Sequence, residues 1–118
     1  MANYSRQLLS GSTNGRVIPV AATATAGTLI HTATSESSGF DEVYLWVSNV
    51  TASDATLTLE WGGVTDPGDH LVKAVVIPAK SPPIPIATGQ VLKGGLVLRA
   101  FSGTASALNV GGYVNRIL

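Results

Sequence analysis

The chain has 118 residues, 45% of them hydrophobic and only 12% charged, and its seven basic and seven acidic residues cancel. That length fits one domain, the lack of cysteine excludes disulfides and thiolate metal sites, and the scattered charges lack the clustered Lys and Arg of a nucleic-acid footprint. A neutral surface so poor in charge favours association, and a homo-oligomer, a trimer, is expected; no run of about 18 apolar residues predicts a membrane-spanning helix.

Residues 1–15 are polar, with Tyr4, Leu8 and Leu9 as their main apolar side chains, and they end on the Asn14-Gly15 turn signal. No apolar stretch predicts a secretory signal. Ordering a residue costs roughly 1–2 kcal/mol, which so few apolar groups offset poorly by folding back. The segment therefore reads as an N-terminal arm ahead of a single β-sandwich domain over residues 16–118. Tyr4, Arg6, Leu8 and Leu9 are its candidate partner-binding residues.

Residues 17–24 are β-prone, but Pro19 restricts them to an edge or bulged strand. Residues 28–33 read as a second strand. Residues 42–50, rich in β-branched and aromatic side chains on both faces, read as a strand covered on both sides. Residues 55–61 alternate strictly: Leu57, Leu59 and Trp61 face inward, Thr56, Thr58 and Glu60 outward. With the turn-like residues 51–54 between them, these two strands predict a central hairpin. Residues 71–77 form the next strand. Pro78, Pro82, Pro83 and Pro85 then hold an extended connection that cannot be a central strand. Residues 90–92, 96–101 and 106–117 close the chain, with a bulge expected at Gly111-Gly112. About seven or eight short strands without a helix point to an all-β fold, an antiparallel, jelly-roll-like sandwich.

Chemistry-bearing residues are few. His31 has no ligand or acid at catalytic spacing and reads as a packed residue. Asp66, Asp69 and His70 could be drawn as a metal site, yet Asp-Pro-Gly-Asp is ordinary turn chemistry. No serine sits in a Gly-x-Ser-x-Gly elbow. Asn49-Val50-Thr51 and Asn3-Tyr4-Ser5 match a glycosylation pattern that is common by chance. No enzyme and no cofactor is expected. The seven aromatic residues fall mostly at core-like positions, which weakens a carbohydrate-binding reading.

Residues 43–50 and 55–63, the Pro-rich connection, residues 96–101 and the closing Gly112-Tyr113-Val114-Asn115-Arg116-Ile117 resemble small virion proteins of tailed bacteriophages. The resemblance runs from about Phe40 to the end. It implies a capsid decoration, or cement, protein: β-rich, often trimeric, made in the host cytoplasm, seated on the capsid surface and bound to the major capsid protein. A tail or head–tail connector component is the structural alternative. A carbohydrate-binding β-sandwich module is the alternative of another class.

Overall fold

The computed structural model describes residues 3–118. They form β1 (Tyr4–Leu8), β2 (Ile18–Pro19), β3 (Thr28–Thr32), β4 (Phe40–Asn49), β5 (Ala55–Trp61), β6 (His70–Ile77), β7 (Ile84–Leu92), β8 (Val97–Ser102) and β9 (Leu108–Ile117), with no helix among the described residues. Sheet I has the order β1-β9-β4-β7, with β2 also on β9; sheet II has the order β3-β8-β5-β6. All pairs are antiparallel, and they nest: β5 with β6, β4 with β7, β3 with β8, and β1 and β2 with β9. This is a long hairpin rolled on itself, the jelly roll. The sheets enclose one core that includes Val43, Leu45, Val47, Leu57, Leu59, Leu98, Val110 and Val114.

The hairpin expected between residues 43–50 and 55–61 does not form. β4 lies in sheet I and β5 in sheet II, so the turn between them is an arch. A hairpin would place Val43, Leu45 and Val47 beside Leu57 and Leu59 in one sheet. The arch sets the two apolar rows on opposite walls of the core. Asn49 fixes it: its fully buried amide donates to the carbonyls of Ser53 (2.9 Å) and Ile77 (3.0 Å). The amide oxygen accepts from the N–H and hydroxyl of Thr51.

The register within β5 is as the alternation predicts, with Leu57 and Leu59 fully buried and Trp61 packed against the core. Its other face is not solvated, however, because Thr58 and Glu60 are buried too. The segment before β3 crosses that face, where the Gly27 N–H (2.7 Å) and the Thr25 hydroxyl donate to the Glu60 carboxylate. The Thr58 hydroxyl accepts the Ala74 N–H, at the point where β6 slips its register against β5. A buried carboxylate needs such donors, since an unpaired one would be strongly disfavoured.

Two other expectations change. Residues 4–8 do not extend as an arm; they pair with β9 from Tyr4↔Ile117 to Leu8↔Tyr113 as the edge of sheet I. Leu9 then enters the core, and the Gly11 N–H donates to the Ile30 carbonyl, which carries the segment across to sheet II. Main-chain pairing supplies the compensation that the sparse apolar side chains could not. The bulge expected at Gly111-Gly112 is also absent, since the β4–β9 ladder runs unbroken from Phe40↔Ile117 to Asn49↔Leu108. The bulges of sheet I lie in β7, at the edge where its proline is tolerated.

Candidate functional site

Alternation along β4 sends Asp41, Val43, Leu45, Val47 and Asn49 inward and Phe40, Glu42, Tyr44, Trp46 and Ser48 outward. Cross-strand pairing extends the outward set into rows. Tyr4, Ile117 and Phe40 form one; Arg6, Asn115, Glu42 and Val91 the next; Leu8, Tyr113, Tyr44 and Thr88 the third; Gly111, Trp46 and Pro85 the fourth. Five of the seven aromatic residues thus stand on the outer face of sheet I rather than at core positions, which corrects the sequence-based expectation. Periodicity alone cannot say which face of a doubly apolar strand points inward.

The face is built as a stack. The Tyr44 and Tyr113 rings lie 5.1 Å apart and nearly parallel. The Arg6 guanidinium covers the other side of Tyr113 at 4.5 Å, a cation–π contact. Tyr44 backs onto Gly89, a bulge residue with φ +111. A Cβ there would meet the Tyr44 hydroxyl oxygen at 3.3 Å. Trp46 rests on Gly111, where a Cβ would come within 2.6 Å of the indole Nε1. Tyr4, 65% exposed, donates its hydroxyl to Glu42 Oε1 at 3.0 Å. That bond to an anion holds the Tyr4 pKa above its ordinary value.

Of the candidate partner-binding residues, Tyr4, Arg6 and Leu8 come together on this face. Leu9 does not, being 2% exposed inside the core. Sequence reading missed Tyr44, Trp46 and Tyr113; the signal was the two-faced apolar character of residues 42–50.

This arrangement suits macromolecular contact better than a sugar. Sugars stack on open ring faces, and those of Tyr44 and Tyr113 are occupied by each other, by Arg6 and by Gly89. Tyr4 and Trp46 remain more open, yet their rows stand six β9 residues apart, about 20 Å by the strand rise.

Most of the other polar residues hold the fold; the exception is His70, whose two ring nitrogens are buried without a hydrogen-bond partner among the described residues. Buried His31 and Asp41 and half-buried Arg116 form a cluster tying β3 to sheet I. Arg116 donates to Asp41 through Nε (2.8 Å) and Nη2 (3.0 Å), and the Thr34 N–H adds a third donor. His31 Nδ1 accepts the Ser10 N–H at 3.0 Å, which leaves the proton on Nε2 to face Asp41 at 2.7 Å. Burial pushes the His31 pKa down against the pull of Asp41. Burial pushes the Asp41 carboxyl up, but Arg116 and His31 outweigh it and hold the carboxyl below its ordinary value. With both nitrogens bonded, this imidazole is not placed to take a proton from a nucleophile.

Asp66 is paired with Lys73 at 2.6 Å, and Asp69 accepts the Thr65 N–H at 3.0 Å. His70 lies edge-on to Phe101. Among the described residues no group of three or more His, Cys, Asp or Glu is placed to hold a metal ion. The buried Asn49 amide is not presented to solvent as a glycan acceptor. No family model, characterised protein or solved structure matches this chain.

Proposed function

We propose that this chain is a virion structural protein of a tailed bacteriophage, a decoration protein that binds the major capsid protein on the outer shell and ties capsomers together. The observation that carries the reading is that, besides scattered exposed apolar residues such as Val17, Val50 and Leu96, two groups of them stand on different sheets. One is the aromatic face of sheet I. The other is β6, the free edge of sheet II, which exposes Leu71, Val75 and Val76. A subunit that joins neighbours needs at least two contact surfaces, and an exposed apolar strand edge is a ready contact. Stable contacts generally bury more than about 1,000 Å², and many copies on one shell add avidity. The resemblance over residues 40–118 and the low charge support the same reading. The jelly roll also recurs in capsid domains, which is an analogy of fold alone.

The test is to sediment undecorated shells with the purified protein. Saturable co-sedimentation is expected, weakened by Val76→Glu, a substitution at a side chain 57% exposed that leaves the core intact. Protein that stays in the supernatant at every concentration rejects the reading.

A further inference from the structure

We propose that the outer face of sheet I is a self-contact, packing against the same face of a second copy about a two-fold axis nearly parallel to β9. The inference stands independently of the decoration reading. It comes from the pattern of charge. Asn115 at the middle of the face has Arg6 beside it on β1 and Glu42 beside it on β4. Each lies about 5 Å from β9, one strand spacing away. Rotation about an axis along β9 exchanges the two sides, so Arg6 meets the partner's Glu42 while Glu42 meets the partner's Arg6. One operation makes two opposite-charge pairs, the self-complementarity an isologous interface requires.

The same operation matches the apolar rows. Tyr4 falls opposite the partner's Phe40, Leu8 opposite the partner's Tyr44, and Ile117 opposite the partner's Ile117. Packed sheets prefer an angle near −30°, which a tilt of the axis by about 15° from β9 supplies, and the register is kept best at the crossing point, the Asn115 row where the charged pair sits. The composition fits too, since Tyr, Trp and Arg are enriched in interfaces and Lys depleted; β1, β4, β7 and β9 contain no lysine. The stack from Arg6 through Tyr113 and Tyr44 to Gly89 is ordered within one subunit, which lowers the entropy lost on contact.

Light scattering and sedimentation equilibrium on the full chain test this directly. The expected mass is twice the 12.1 kDa of one chain. Arg6→Glu alone and Glu42→Arg alone should each weaken self-association by about tenfold or more. The double exchange, Arg6→Glu with Glu42→Arg, should restore it. These side chains are outside the core, and unchanged thermal melts confirm that the variants fold. A monomer at every concentration, as expected if a glycan or shell protein alone occupies the face, overturns the proposal. So does a trimer, because one isologous face closes at two copies, and so does a dimer indifferent to Arg6→Glu.

Discussion

At the scale of single residues, buried His31 and Asp41, braced by the half-buried Arg116, tie the two sheets together. Removing the buried Asp41 leaves His31 Nε2–H, the Thr34 N–H and the half-buried Arg116 without their shared acceptor, and Asp41→Ala should lower stability by about 3 kcal/mol in urea denaturation. The cluster also makes stability depend on pH. The His31 pKa is depressed below its ordinary 6.5, so the unfolded chain takes up that proton first. Stability is therefore whole above about pH 6.5 and declines as the pH falls below it. Asp41, held below its ordinary 3.8, adds a second decline as the pH falls through that region toward its folded value. Urea midpoints measured down the pH scale should show both windows, and His31→Gln should remove the upper one. A flat profile above the carboxylate range in the native chain would contradict the assignment. Leu59→Ala, emptying a fully buried site on β5, should cost about 2–5 kcal/mol. The core role of Leu57 and Leu59 was legible from alternation. The burial of Glu60 was not, because the segment covering it is distant in sequence and itself has little periodicity.

At the scale of elements, the connections carried less signal than the strands. Residues 51–54 have turn composition whether the chain returns in the same sheet or crosses to the other. The deciding interaction is the Asn49 amide on the Ile77 carbonyl, 28 residues away. Asn49→Ala takes the amide donor from the Ile77 carbonyl and leaves Ser53 only the Thr51 hydroxyl, and should cost about 1–3 kcal/mol, read as a lowered denaturation midpoint. An unchanged midpoint would mean that the arch is held by other contacts. The N-terminal segment was hidden for a related reason. Tyr4, Arg6 and Leu8 alternate with Ser5 and Gln7, a pattern too polar to signal a strand without β9 beside it. Deleting residues 2–12 removes β1, the buried Leu9 and the donor to His31, so the truncated chain should lose stability and the β9 amides should exchange faster with solvent. A truncated chain with unchanged melting and exchange would show the segment to be a dispensable tail.

At the scale of the whole molecule, low charge and two-faced apolar strands fit a subunit that finishes burying its surface in an assembly. The strand spacing made the sandwich readable, while composition raised only the expectation of association. Neither disclosed which side chains stand outward, because that depends on how the nine strands of the described residues divide between two sheets. The division leaves the aromatic face on sheet I and the apolar β6 edge on sheet II, the first proposed for self-contact and the second for the shell. Reconstruction of particles by electron cryomicroscopy, with and without this protein, tests the account most directly. The account predicts added density of the size and shape of this jelly roll on the outer shell, bridging neighbouring capsomers. Density confined to the tail or the head–tail connector, or an unchanged outer surface, would contradict it.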